Sequence, residues 1–261
     1  MMMSNHFFHL VEFSPWPIIM SFNLISLGSS IIIMIMYKKT MIMIMSVFMI
    51  IAVKFQWWRD IVREALYNGC HSKMVKQGIS MGMLAFITSE LCFFISFFWM
   101  YFYLSLSPDT SLSSTWPPKG IEPTNYLDIP LLNTLILLTS GFLITWSHYS
   151  MMINLPNIMK TTCMLTIIMG TYFFSIQMYE YYVITFDFSD SVFSSSFFIL
   201  TGFHGFHVIV GILFIMVNFV RFKNFNFSIS STAGFDYSVW YWHFVDVIWL
   251  FLCMFLYWWS M

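Results

Sequence analysis

The chain has 261 residues, of which 59% are hydrophobic and 9% charged, against about 25% charged in an ordinary soluble domain. That composition excludes a soluble globular protein and indicates a polytopic membrane protein. The formal net charge of −1 argues against a nucleic-acid partner.

A helix needs about 20 predominantly apolar residues to cross the hydrocarbon. Seven segments qualify, at about 16–37, 41–58, 78–106, 129–149, 161–184, 194–220 and 235–258. The residues before the first span, Met1–Glu12, show neither a basic region nor a small-residue cleavage site, so that span is read as retained rather than as a signal peptide. The second span is short, and Lys54 near its end can snorkel to the interface. Arg59–Gln77 is the most charged stretch, and its Asp60 and Arg63 are spaced to pair on a helical extension. It divides the chain into an N-terminal tail with two helices (1–58), a charged connector (59–77) and a five-helix bundle (78–261).

The third span carries Glu90 with no other charge from Gly78 to Ser107. An ionised group at that depth costs roughly 3 kcal/mol on insertion scales, so it is usually paired or kept for a function. The connection Ser107–Pro130 holds Pro108, Pro117, Pro118, Pro123 and Pro130, which predicts a stiff, extended surface loop. The sixth span contains His204 and His207, and the seventh His243 and Asp246.

With the N-terminal side as side one, Lys54, Arg59, Arg63, Lys73, Lys76, Lys160, Arg221 and Lys223 fall there, against Lys38, Lys39 and Lys119 opposite. Eight basic residues against three make side one the cytoplasm-like face. Trp16, Trp57, Trp58, Trp116, Trp240, Trp258 and Trp259 flank spans, as interfacial belts do. Cys70, Cys92, Cys163 and Cys253 form no CxxC pair and are read as neither disulfides nor metal ligands.

Helix rise gives approximate depths from side one: Glu90 lies roughly 18 Å in, His207 roughly 20 Å, Asp246 roughly 17 Å and His243 roughly 12 Å. Glu90, His207 and Asp246 therefore share a level. They form either a proton-accessible cluster, with Glu90 paired to His207 or Asp246, or separately satisfied groups that pin helices together. His204 and His207, three residues apart, can share a helix face. A haem-bridging pair would come from facing helices at matched depth, however, and Gly202, Gly205 and Gly211 point to close helix packing instead. His6, His9, His71 and His148 fall at ends or in loops. No metal site and no catalytic residue is expected. The basic rim of Arg59, Arg63, Lys73, Lys76 and Arg221, with Trp57, Trp58 and His71, fits anionic lipid head groups or ordinary positive-inside topology. These residues leave open a supporting membrane subunit, a coupled transporter using Glu90, or a haem carrier using His204, His207 or His243.

The segments Thr201-Gly202-Phe203-His204-Gly205-Phe206-His207-Val208-Ile209 and Trp240-Tyr241-Trp242-His243-Phe244-Val245-Asp246-Val247-Ile248-Trp249-Leu250-Phe251 resemble signatures of the cytochrome c oxidase subunit 3 family. So do Gln56-Trp57-Trp58-Arg59-Asp60, Ser89-Glu90, Trp116-Pro117-Pro118, Pro130-Leu131-Leu132-Asn133-Thr134 and Tyr257-Trp258-Trp259. The resemblance covers nearly the whole chain. It implies an all-α membrane protein whose seven transmembrane helices form a two-helix plus five-helix V, with phospholipids in the cleft. It implies a core subunit of the terminal respiratory oxidase of the mitochondrial inner membrane, with the N-terminus on the matrix side and the C-terminus facing the intermembrane space. Haem a, haem a3 and the copper centres would sit in partner subunits 1 and 2, with smaller nuclear-encoded subunits around them. This chain would carry no cofactor beyond bound phospholipid. Glu90, His207, Asp246 and His243 would be the buried polar, proton-related residues, and Trp57, Trp58, Arg59, Arg63, Glu64, His71 and Arg221 the lipid-binding ones. The family usually pairs histidines near 148–149 and before the last helix, where this chain has His148-Tyr149 and Ser231-Thr232-Ala233.

Overall fold

An apolar segment in hydrocarbon must satisfy its own backbone hydrogen bonds, which leaves the helix as the solution for isolated spans. The computed structural model describes residues 8, 9, 11–108, 114–227 and 232–260. His6 and Ser231 lie outside the described residues, as does the middle of the proline-rich loop (109–113). Among the described residues are seven helices long and apolar enough to cross a membrane: α1 (Trp16–Tyr37), α2 (Met41–Leu66), α3 (Lys73–Leu106), α4 (Ile129–Met152), α5 (Pro156–Val183), α6 (Val192–Lys223) and α7 (Ala233–Leu252). The last runs on as a π-helical turn, Cys253–Trp258.

The helices outrun the spans read from hydropathy, because the helix continues through charged residues at the interface. α2 reaches Leu66 and α3 begins at Lys73, so only residues 67–72 of the stretch 59–77 lie outside helix. Prolines sit where the missing N–H is harmless, in the first turns of α1, α4 and α5. Asp60 does not pair with Arg63 through a close contact. Its carboxylate takes the Arg59 guanidinium at 3.0 Å and the Trp16 indole N–H at 2.8 Å.

The chain divides into two compact units, Met1–Ile79 and Ser80–Met261. In the first, α1 and α2 pack through Met20, Ile50 and Val53, with Trp16 and Trp57 alongside. The Ser30 and Ser46 hydroxyls lie 3.0 Å apart across this pair. Small hydroxyl residues let membrane helices approach closely. Most of the large side chains of α1 and α2 face outward, as a lipid-facing surface requires.

In the second unit, α4 packs on α5 and α7, and α6 on α5 and α7. The centre holds Trp242 and Trp249, both 0% exposed. α3 joins through aromatic contacts, with Phe93 edge-on to Phe203 at 5.0 Å and Phe102 to Phe255 at 4.9 Å. The proline-rich segment is not only surface: the Trp116 ring packs edge-on against Tyr101 and Phe193, and the Trp116–Pro117 peptide is cis.

The three glycines singled out on α6 separate. A Cβ on Gly211 would fall 2.9 Å from Trp242, whereas one on Gly202 would meet nothing within 4 Å and one on Gly205 only Phe174, at 3.9 Å. Gly211 on α6, Gly170 on α5 and Gly141 on α4 admit side chains of α7 this closely, and Gly234 at the start of α7 lies as close to the Arg221 guanidinium.

Candidate functional site

Glu90 on α3 and His207 on α6 meet, with Oε2 and Nε2 2.9 Å apart. The His207 side chain is 7% exposed and that of Glu90 26%. On its other side, Nδ1 of His207 lies 2.6 Å from the carbonyl oxygen of Phe203. A carbonyl only accepts, so Nδ1 carries a hydrogen and donates. Nε2 and Glu90 Oε2 therefore share one proton: the pair is either carboxylic acid with neutral imidazole or carboxylate with imidazolium. Both forms have zero net charge, which is how two ionisable groups avoid a bare charge at this depth. Phe94 packs on the imidazole at 5.0 Å between ring centres.

Asp246 does not join Glu90, although the two lie at similar depth. Its Oδ2 lies 3.7 Å from His243 Nδ1, one turn earlier on α7. The Thr145 hydroxyl donates its only proton to the Gly141 carbonyl, at 2.7 Å. His243 Nε2, 3.2 Å from Thr145 Oγ1, must then be the donor in that contact. Gly141 makes the arrangement possible, since a Cβ there would reach within 2.6 Å of Asp246 Oδ2. His204, though three residues from His207, turns to a different helix: its Nε2 donates to the Val245 carbonyl on α7 at 3.2 Å. The intramembrane polar residues thus form separate pairs, α3 to α6, α4 to α7 and α6 to α7.

The residues put forward for lipid fall in both units. In the first, Trp57, Arg63 and Glu64 line a groove of about 450 Å³ with Trp16, Asp60 and Tyr67. Trp58 is exposed, and Arg59 is held by Asp60. His71 follows the turn after α2, which Gly69 permits by adopting φ 65°, and precedes Ser72, whose hydroxyl accepts from the Val75 N–H at the start of α3 (3.4 Å). Burial, reinforced by His9 and Lys76 nearby, holds the His71 imidazole below its ordinary pKa. In the second unit, Arg221 ends α6 with its guanidinium 4.5 Å over the Phe227 ring and 3.2 Å from Asn218 Oδ1.

Two constellations are not apparent from hydropathy. Glu180, 2% exposed, accepts from Gln177 Nε2 at 2.7 Å and from the Tyr257 hydroxyl at 3.1 Å, both on Oε2. Asn133 Nδ2 donates to Gln177 Oε1 at 3.3 Å, which ties α4, α5 and the π-helical turn together. Gln177 and Glu180 stand three apart on one helix, and that spacing inside an apolar span was the available signal. His148, in the last turn of α4, meets Asp236 of α7 at 2.8 Å, and the Thr232 hydroxyl donates to the other carboxylate oxygen at 2.9 Å.

Residues 6–261 match the family model described as cytochrome c oxidase subunit III. A protein from Rhipicephalus sanguineus named cytochrome c oxidase subunit 3 is 46% identical over 257 residues, covering 98% of this chain and all of that one. Proteins of the same name from Mammuthus primigenius and Branchiostoma lanceolatum are 43% and 44% identical, each covering 98% of this chain and 98% and 97% of their own length.

Proposed function

The chain belongs to the cytochrome c oxidase subunit III family, and from that premise we propose that it is a cofactor-free core subunit of the respiratory oxidase in the mitochondrial inner membrane. The match over essentially its full length to relatives bearing that name carries the reading. Electrons pass from cytochrome c to oxygen through haem a, haem a3 and copper in subunits 1 and 2. This chain holds subunit 1 in place, binds phospholipid and assists proton supply, alongside smaller nuclear-encoded subunits. The basic majority at side one supports a matrix-side N-terminus, and seven spans then carry the C-terminus to the intermembrane space.

Glu90 and His207 support the proton-related part, because a proton shared between them can move from one to the other without changing the pair's net charge. Trp57, Arg63 and Glu64 around one groove, with Trp58, Arg59 and His71 in the same unit, support lipid binding there. Arg221 would act at the end of α6, and His243 with Asp246 would serve as a second buried polar pair.

Stripping the chain from the native complex in mild detergent tests the reading. The expected result is a colourless chain and a remainder that keeps its haem spectrum and its initial oxygen uptake. Haem leaving with this chain would overturn it.

Glu90→Gln is expected to leave assembly intact and turnover within about twofold of wild type. An amide N–H can donate to His207 Nε2 as the acid does, so the link between α3 and α6 survives. Oxygen uptake by the assembled mutant complex checks this, and loss of turnover would show that the exchangeable proton itself is required.

A further inference from the structure

The first unit also brings together three side chains, two of which, Glu64 and His71, the lipid reading already uses and the third of which, His9, it does not. His9 precedes α1, Glu64 sits in the last turn of α2, and His71 lies in the turn before α3. One ligand atom from each lies within 4.8 Å of the others. The His9 and His71 rings meet edge-on with centres 5.2 Å apart. His71 Nε2 is buried and has no hydrogen-bond partner. A buried ring nitrogen without a partner is costly in water-excluded surroundings.

We propose that His9, Glu64 and His71 form a binding site for a divalent transition-metal ion, with Zn²⁺ the fitting species. Two imidazoles and one carboxylate are the ligand types that zinc takes, whereas calcium and magnesium prefer all-oxygen shells. Three protein ligands leave a fourth position for water or another ligand. Zinc bonds of about 2.0–2.2 Å place tetrahedral ligands roughly 3.4 Å apart, so the donors must draw in by about an ångström. His9 is exposed and can make that adjustment by rotating its side chain.

Local folding explains the convergence. The Cys70 N–H bonds back to the Glu64 carbonyl at 3.2 Å, which curls the chain after α2 so that His71 returns over the helix end. Loaded with metal, the site would strap the segment ahead of α1 to the α2–α3 turn. The sequence offers His71 only as a lipid-binding residue and His9 only as a residue near a chain end, because the two lie 62 positions apart, outside helices, with no local ligand spacing.

The test is a Zn²⁺ titration of the purified full chain in detergent against a competing chromophoric chelator. One equivalent is expected to bind in the micromolar range or tighter. His9→Gln, Glu64→Gln and His71→Gln should each weaken that binding by about tenfold or more, while His148→Gln, which alters a histidine of the second unit, should not. Far-UV circular dichroism confirms that each variant keeps its helices. Binding of less than one equivalent by the wild-type chain would overturn the proposal, as would unchanged affinity in the three variants or an equal loss in His148→Gln.

Discussion

Truncating Trp242 to Ala is expected to destabilise the second unit by about 3–5 kcal/mol, the range for deleting a fully buried large aromatic. The residue is 0% exposed, and its indole touches three helices besides its own. Its N–H donates to the Ser140 hydroxyl on α4 at 2.9 Å. Its ring lies where a Cβ on Gly170 of α5 would come within 2.7 Å and one on Gly211 of α6 within 2.9 Å. Lipid offers no hydrophobic drive between helices, so packing of this kind supplies most of the association. Filling the space from the other side should also fail: Gly211→Val forces the indole out or parts α6 from α7, at about 1–3 kcal/mol or more. Denaturation in mixed micelles, followed by far-UV circular dichroism, measures both. A cost below about 1 kcal/mol for Trp242→Ala would show that the helices close over the cavity.

The second large effect is expected at Glu180. Glu180→Ala removes the acceptor for both Gln177 Nε2 and the Tyr257 hydroxyl. Two average side-chain hydrogen bonds within a membrane bundle, here one inside α5 and one from the π-helical turn to α5, are worth only about 1 kcal/mol together. Stranding two buried donors costs more, about 1–3 kcal/mol each. The residues of this network are 0–2% exposed, so the second cost governs, and a loss of about 2–4 kcal/mol is expected. Glu180→Gln keeps a carbonyl oxygen in the same place and should stay within about 1 kcal/mol of wild type. The difference between the two variants is the decisive quantity. Equal losses would mean that the negative charge, not acceptor geometry, holds α5 to the π-helical turn.

Glu180 also shows where sequence reading stops. The order of residues does not say whether a carboxylate in this span faces the interface or the interior, and only its neighbours reveal that it is enclosed. Glu90 was legible because it interrupts a long charge-free run. Its partner was legible only as one of two choices, His207 or Asp246, since helix rise fixes position along the axis but not rotation about it. Rotation turns Asp246 toward His243 and Gly141, and leaves His207 for Glu90. Gly202, Gly205 and Gly211 are indistinguishable in sequence, yet only Gly211 faces Trp242.

Seven spans, a polar content confined to a few intramembrane positions, and the family signatures followed from the order of residues alone. Each rests on hydropathy or on contiguous motifs, which are local properties of the chain. The pairing of those polar groups, the glycines that admit an indole, and the meeting of His9 with His71 depend on helix phase and on how turns redirect the backbone. Those are relations between distant segments, and the tertiary structure alone decided them.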